Sequence, residues 1–138
     1  MRIAALVNPA ARSGAHTPVA ERAVDRLREH GHTVVVVSGG SARESAELLG
    51  TLADRDDVDT LVVIGGDGTM RLALEPAARS GKALGIIPAG TGNDLAALLG
   101  LRELDAVTAA DVIAAGHITQ LDLARTTSEN GSTALYAT

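Results

Sequence analysis

Residues 61–69 read LVVIGGDGT, an apolar run that passes directly into a glycine-rich turn. The run is continuous rather than alternating, which is typical of a strand that is covered on both faces in a parallel sheet. The turn, Gly65–Thr69, is called the Gly65 loop below. Because a helical pattern follows it, this stretch has the strand–turn–helix order from which α/β folds are built.

Three further apolar runs of the same kind occur, and segments with helix signals separate them. The runs are Ile3–Val7, Val34–Val37 and Leu84–Ile87. Capping residues and glycine stops predict helices from Thr17 to Gly31, Ser41 to Asp54, Thr69 to Gly81, Asn93 to Gly100 and Asp105 to Gly116. This alternation implies right-handed crossovers and predicts a doubly wound, mostly parallel α/β sheet.

The pattern changes after residue 116. His117–Leu123 has the character of a strand, Asn130–Gly131 is a hairpin turn signal, and Thr133–Ala137 fits a return strand. We therefore expect an α/β domain over residues 1–116 and the start of a β-rich unit over residues 117–138. Because unpaired strands invite association, the hairpin is also expected to be able to join two copies in a homodimer.

Composition limits the function classes. The chain has 138 residues, the size of one domain, and a net charge of −5 from 12 basic and 17 acidic residues. This balance, with Tyr136 as the single aromatic residue, argues against a nucleic-acid partner. The absence of cysteine excludes disulfides, thiolate zinc sites and cysteine nucleophiles. No apolar stretch has the length of a signal-peptide core or a membrane span, so the expected location is the cytoplasm.

Three polar, glycine-containing turns each follow a predicted parallel strand directly. They are Asn8–Gly14 (the Asn8 loop), the Gly65 loop and Pro88–Asp94 (the Gly90 loop). In open α/β sheets, ligands bind outside the carboxyl ends of the strands, where the strand order reverses. The three loops are therefore expected to converge on one ligand site.

The Gly65 loop has the residue types that a phosphate site needs. Glycines allow backbone N–H groups to approach phosphate oxygens closely, and the N-terminus of the following helix is partly positive. Asp67 is a candidate Mg²⁺ ligand or proton acceptor. Thr69 is a candidate phosphate contact or helix cap. The alternative for this loop is a tight turn with a solvated Asp67.

The Gly90 loop follows the same logic. Gly90 and Gly92 permit a sharp bend, and Thr91, Asn93 and Asp94 offer side-chain contacts. For Asn93 and Asp94, a helix-capping role explains the residue type equally well.

Two common nucleotide signatures are absent. A Walker motif requires Ser or Thr after Gly-Lys, but Gly81 and Lys82, the single lysine, are followed by Ala83. A Rossmann fingerprint requires a third glycine where the two candidate loops place Arg71 and Leu95. The pattern therefore fits neither a P-loop NTPase nor an ordinary dehydrogenase.

The Gly65 loop, followed by the Gly90 loop with Leu95 and Ala96, resembles the catalytic domain of the diacylglycerol kinase and sphingosine kinase superfamily. The resemblance covers about residues 1–125. Asn8-Pro9 with Ser13-Gly14 is similar to the first-loop motif of that family, with one extra residue between the pairs. The nucleotide-binding fold of this superfamily is shared with NAD kinases and phosphofructokinases.

The resemblance implies an ATP- and Mg²⁺-dependent kinase that phosphorylates a lipid hydroxyl, such as that of diacylglycerol. It implies Asp67 as catalytic residue and metal ligand. The cofactor-binding residues that it implies are Asn8, Ser13, Gly65, Gly66, Gly68, Thr69, Gly90, Thr91, Gly92, Asn93 and Asp94. A lipid acceptor also implies peripheral contact with the inner membrane face.

The sequence departs from the family pattern in two places. Many relatives carry Asn-Glu where this chain has Met70-Arg71. Relatives also continue into a β-rich domain that completes the acceptor site, and the chain ends at Thr138. The chain alone is therefore expected to show little or no kinase turnover. The alternative functions are an NAD kinase-like enzyme and a non-catalytic nucleotide-binding module.

Overall fold

A computed structural model describes residues 1–7, 17–89, 93–120, 123–127 and 133–137. These residues form six strands and five helices in an alternating order. The elements are β1 (Arg2–Val7), α1 (Thr17–Glu29), β2 (Thr33–Val37), α2 (Ala42–Ala53), β3 (Thr60–Gly65), α3 (Asp67–Ser80), β4 (Ala83–Pro88), α4 (Asp94–Leu98), α5 (Ala106–Ala115), β5 (Leu123–Thr127) and β6 (Thr133–Ala137). The four predicted parallel strands are confirmed to within one residue at each end.

The first four strands form one parallel sheet in the order β2-β1-β3-β4. The chain moves outward from β1 to β2 and then crosses to β3 and β4, so the strand order reverses between β1 and β3. This reversal is the switch point at which α/β sheets bind ligands. Every residue of β3 is buried, as the continuous apolar run predicts.

Helices cover both faces of the sheet, which confirms the doubly wound prediction. Ile3, Val62 and Ile87 pack toward α1 and α5, while Leu61, Val63 and Ile86 pack toward α2, α3 and α4. The packing is close because small residues line it: a Cβ at Gly85 in β4 would lie 2.8 Å from the Cδ1 atom of Ile113 in α5. Small residues let the helices approach the sheet closely, so the core is densely packed without large aromatic rings.

Helix boundaries follow the capping signals in most places. The hydroxyl of Ser41 accepts from the N–H of Glu44, and the carboxylate of Asp105 accepts from the N–H of Thr108. Two predicted helices have different bounds. α3 begins at Asp67 rather than after Thr69, because Gly66 takes the extended N-cap conformation. α4 spans only Asp94–Leu98.

The C-terminal prediction is correct for the hairpin and wrong for the position of its first strand, which spans Leu123–Thr127 and not His117–Leu123. β5 and β6 pair antiparallel, from Leu123 opposite Ala137 to Thr127 opposite Thr133. Residues 117–120 are exposed and form no strand, because the five-residue return strand offers no partner to them. The predicted turn at Asn130–Gly131 lies outside the described residues. The domain boundary at residue 116 stays a prediction.

No helix in the described part of the chain is both long and apolar enough to cross a membrane.

Candidate functional site at the carboxyl end of the parallel sheet

The Gly65 loop is built by close packing at the end of β3. Gly65 is buried, and a Cβ at this position would lie 2.8 Å from both Cβ and Oγ1 of Thr69. Thr69 is 2% exposed, so its side chain packs beneath the loop. The N-cap of α3 is Gly66, and the alternative role of Thr69 as helix cap is therefore wrong.

The first turn of α3 presents the polar part of this loop. Gly66 has no side chain with which to cap the helix, and its backbone is extended. Asp67, the first helical residue, is half-buried. Gly68 is exposed, and a Cβ there would meet nothing within 4 Å. Because the first N–H groups of a helix have no intrahelical acceptor, a helix N-terminus whose cap residue has no side chain fits an anionic ligand.

The Gly90 loop leaves the neighbouring strand at the same level. Pro88, the last residue of β4, is the register partner of Gly65, and the N–H of Ala89 donates to the carbonyl of Gly65 at 2.9 Å. Asn93, at the other end of the loop, is 7% exposed, while Asp94 is exposed as the first residue of α4. Gly90, Thr91 and Gly92 lie outside the described residues.

The structure brings the described ends of these two loops together, and the predicted convergence of all three loops stays a prediction. They begin at hydrogen-bonded neighbours on adjacent strands, and α3 and α4 contact each other. Met70 of α3 and Ala96 of α4 belong to one buried cluster. Asp67 and Asn93 therefore lie on the same face of the sheet at its carboxyl end.

The third predicted loop, the Asn8 loop, lies outside the described residues, and only the strand before it, β1, is described. β1 ends at Val7, which is the register partner of Ile64, one residue before Gly65. Asn8 and Ser13 lie outside the described residues, and their proposed roles stay predictions.

A fourth loop at the same end of the sheet was missed by the sequence reasoning. Ser38–Ser41, the Gly39 loop, follows β2, and the glycine pair after a strand was the signal available for it. Its N–H groups are already bonded: Gly39 donates to Oγ of Ser45 at 2.8 Å, and Gly40 donates to Oε2 of Glu44 at 3.0 Å. Side chains of α2 thus occupy the donors that an anion would need.

The single lysine lies at the opposite end of the sheet. Lys82 precedes β4, and its Nζ donates to the carbonyls of Ala53 at 2.6 Å and Arg55 at 2.5 Å. These carbonyls are at the C-terminus of α2, where a cation is stabilised by the helix dipole. An anion at the Gly65 and Gly90 loops would consequently be bound without a lysine.

The described residues at this site suit a divalent cation that is shared with a polyphosphate. Among the described residues, no group of three or more His, Asp or Glu side chains could hold a metal ion. Asp67 supplies one carboxylate at the switch point. Mg²⁺ is commonly bound by one or two carboxylates together with substrate phosphates, so this donor set suits a shared metal and not an all-protein cage.

The fold and the loops define an α/β domain of the class that binds ligands at the switch point of a parallel sheet. The sequence matches the family of the diacylglycerol kinase catalytic domain over residues 2–126. The chain belongs to this family, as the resemblance in its two glycine loops predicts.

Similar curated proteins carry names that agree with this family. The chain is 38% identical over 130 residues to a diacylglycerol kinase of Mycobacterium tuberculosis (strain CDC 1551 / Oshkosh), covering 94% of this chain and 42% of that protein. It is 33% identical over 124 residues to a probable lipid kinase, YegS-like, of Klebsiella pneumoniae (strain 342), covering 86% and 40%. A diacylglycerol kinase of Staphylococcus saprophyticus subsp. saprophyticus is 36% identical over 89 residues, covering 63% and 27%. The chain therefore spans about two fifths or less of the length of these relatives.

Proposed function

We propose that this chain is the nucleotide-binding part of an ATP-dependent lipid kinase, with its site between the Gly65 and Gly90 loops. The observation that carries the proposal is the hydrogen bond from the N–H of Ala89 to the carbonyl of Gly65, which joins the two loops beside an open helix end. Family membership and the names of the relatives support a phosphotransferase that acts on a lipid hydroxyl.

The polyphosphate would be bound mainly by backbone N–H groups. The first turn of α3 offers N–H groups at a helix N-terminus whose cap residue, Gly66, has no side chain. Exposed Gly68 leaves this end of the helix open to a ligand. Fixed donors of this kind stabilise charge on a transferring phosphoryl group without reorganising during the reaction.

Asp67 has one of two roles in the proposed reaction, as ligand of Mg²⁺ or as proton acceptor. In the reaction, the lipid hydroxyl oxygen forms a bond to the γ-phosphorus, the bond from that phosphorus to the bridging oxygen breaks, and ADP leaves. The hydroxyl proton goes to a base, for which the Asp67 carboxylate is the candidate. Bound Mg²⁺ would neutralise charge on the phosphate oxygens, and the Asp67 carboxylate is our candidate ligand for it.

The acceptor side of the site is proposed to lie in sequence beyond the α/β domain. Diacylglycerol is the acceptor named for the M. tuberculosis and S. saprophyticus relatives, and it is our proposed acceptor class. Such a substrate implies peripheral contact with a membrane. The 138-residue chain is expected to bind nucleotide and to have little or no turnover. A homodimer through the β5–β6 hairpin remains a proposal.

The test compares Asp67→Asn with Asp56→Asn, an exposed aspartate in the turn before β3. Calorimetric titration with ATP, in the presence and absence of Mg²⁺, measures nucleotide affinity. We expect Asp67→Asn to weaken Mg·ATP binding roughly tenfold, about 1.4 kcal/mol, because the metal or the phosphates lose an anionic partner. Asp56→Asn should bind like the native chain.

In an enzyme that includes the acceptor domain, loss of Asp67 as a base should reduce turnover by about 10²–10⁴-fold. No detectable binding of Mg·ATP by the native chain would refute the proposed function. Equal affinity of the native chain and Asp67→Asn would refute only the role of Asp67.

A further inference from the structure

β2 lies at the edge of the parallel sheet, and its sequence is typical of a strand that pairs readily. The strand order β2-β1-β3-β4 leaves one side of β2 without a neighbouring strand in the described sheet. The strand reads TVVVV, with four consecutive valines and neither a charged residue nor a proline. Valine favours strands, and short uncharged segments of this kind associate when they are exposed at an edge. The sequence of β2 itself therefore contains nothing that would prevent pairing.

Two residues of β2 direct their backbone groups away from the sheet. The N–H of Thr33 donates to the carbonyl of Met1 at 2.9 Å, so the backbone groups of Thr33 face β1. Backbone groups of successive strand residues point alternately to the two sides of a strand, so every second residue after Thr33 also faces β1. The residues between them, Val34 and Val36, face outward. Their outward N–H and C=O groups are called the β2 edge below.

An arginine from α1 binds one acceptor of the β2 edge. Nη2 of Arg28, in the last turn of the helix, donates to the carbonyl of Val34 at 3.1 Å. Arg26, in the same turn, pairs with the carboxylates of Glu29 and Asp111. Arg28 forms no ion pair within the described ranges of the chain. Its positive charge therefore lies beside the β2 edge without a neutralising carboxylate in contact.

The remainder of the β2 edge is accessible to another chain. Val36 is 48% exposed, whereas Val34 is 6% exposed. Two copies related by a two-fold axis would meet with antiparallel β2 strands, and identical antiparallel strands are self-complementary. Residues directly opposite each other in such a ladder exchange N–H···O bonds, so the Val34 carbonyl would have to accept from an N–H of the second copy. Arg28 already donates to that oxygen.

We propose that the β2 edge is a pairing surface for a second copy of this chain and that Arg28 prevents this pairing. The hydrogen bond to Val34 occupies an acceptor that the second copy would need. The guanidinium also places a charge where the second copy would exclude water, and burying a charge without a partner is costly. β1 separates β2 from the Gly65 loop at the end of β3, and the inference does not depend on the proposed function.

The test removes the arginine and measures self-association. Arg28→Ala frees the Val34 carbonyl and removes the charge beside it. Arg22→Ala is the matched control, because Arg22 is an exposed arginine earlier in the same helix and its loss changes the net charge equally. Sedimentation velocity over a range of concentrations gives the dissociation constant of the dimer, and circular dichroism confirms that each variant is folded. We expect Arg28→Ala to self-associate about tenfold or more tightly than the native chain, and Arg22→Ala to match the native chain.

Hydrogen exchange measured by mass spectrometry identifies the strand that pairs. In associated Arg28→Ala, the amides of β2 should exchange more slowly than in the native chain. Association through the β5–β6 hairpin would instead slow exchange in those two strands.

Two second-site substitutions test the pairing directly in the Arg28→Ala background. Val36→Pro removes an outward N–H that the parallel sheet does not use, and proline is tolerated at such an edge position. Val36→Lys places a charge at the same exposed residue and keeps the backbone N–H, so it provides the test if proline disturbs the fold. We expect each double variant to return to the self-association of the native chain.

Three results would overturn the inference. One is equal self-association of Arg28→Ala and the native chain over the whole concentration range, since Arg28 would then prevent nothing. Another is tighter association that persists in the folded double variants or occurs equally in Arg22→Ala, since pairing at the β2 edge would then not be its cause. The third is slow exchange of the β2 amides in a dimer of the native chain, since the edge would then pair despite Arg28.

Discussion

The Gly39 loop and the Gly65 loop contain the same glycine pair at the same end of the sheet, yet they use their backbones differently. Gly39 and Gly40 donate to Ser45 and Glu44, side chains of the helix that follows. Gly66 caps α3 without any side-chain acceptor. The first loop is bonded to side chains of its own helix, whereas in the second the N-cap of the helix makes no side-chain hydrogen bond.

The difference comes from the residues that follow each glycine pair. After Gly40 the chain supplies Ser41 as cap, and Glu44 and Ser45 as acceptors one turn into α2. After Gly66 it supplies a third glycine at position 68 and a threonine whose side chain packs inward. A glycine pair after a strand is therefore not enough to predict a ligand site, because the residues of the following turn decide whether its N–H groups are bonded within the chain.

Among the substitutions that test this contrast between the two loops, Gly39→Ala is expected to have the largest effect on the free energy of unfolding. A Cβ at position 39 would lie 2.7 Å from the backbone nitrogen of Ser45 and 2.9 Å from Cβ of Glu44, so the start of α2 must shift. We expect a loss of about 2–3 kcal/mol in the free energy of unfolding, measured by urea denaturation.

Gly40→Ala is the matched control for that substitution. Its new Cβ would approach only Oε2 of Glu44, at 3.1 Å, and the end of a flexible side chain can move. The cost should stay within about 0.5 kcal/mol. Equal stability of the two variants would show that the Gly39 loop is not closed as described.

A smaller loss is expected from Ser45→Ala. Ser45 is fully buried, and the N–H of Gly39 would lose its acceptor, at a cost of about 1–2 kcal/mol. Thr51→Ala removes an exposed hydroxyl from the same helix and should change thermal stability little. If Ser45→Ala melted at the native temperature, the N–H of Gly39 would have another acceptor and the contrast between the loops would weaken.

A gain in stability, smaller than the two losses above, is expected from Gly68→Ala. Both Gly68 and Gly50 are helical glycines with room for a Cβ, so alanine at either position should stabilise the fold by about 0.5–1 kcal/mol. Only at position 68 does the new methyl group lean toward the open N-terminus of α3. Gly68→Ala should therefore weaken Mg·ADP binding about fivefold or more, and Gly50→Ala should not.

Fluorescence titration with a labelled ADP analogue is suited to that comparison, because both variants are expected to be at least as stable as the native chain. Unchanged affinity in Gly68→Ala would mean that the phosphates do not approach the first turn of α3.

The strands and most helix ends were predictable because local sequence determines them. The run Leu61–Ile64 is too continuously apolar for any place but the middle of a covered sheet, and Ser41 and Asp105 cap the helices that follow them. The proximity of the two glycine loops followed from topology, since the carboxyl ends of parallel strands share one end of a sheet.

Features that depend on tertiary contacts were not predictable. The left-handed backbone of Asn93 has no sequence signal, because asparagine before a helix is equally typical of an ordinary extended cap. The bonding of the Gly39 loop depends on where Ser45 points once α2 has packed. The strand predicted at His117–Leu123 did not form as predicted, because its first four residues have no partner strand in the described sheet.

The position of the Gly65 carbonyl constrains how the sequence of this region can evolve. Gly65 is the last residue of β3, and its carbonyl also accepts the hydrogen bond from Ala89 at the beginning of the Gly90 loop. Any substitution that shifts this oxygen displaces the end of β3 and the start of the Gly90 loop at once. On the proposed function, adaptation to a new ligand must therefore alter both segments in concert or spare position 65, and variants selected for altered recognition should carry paired changes.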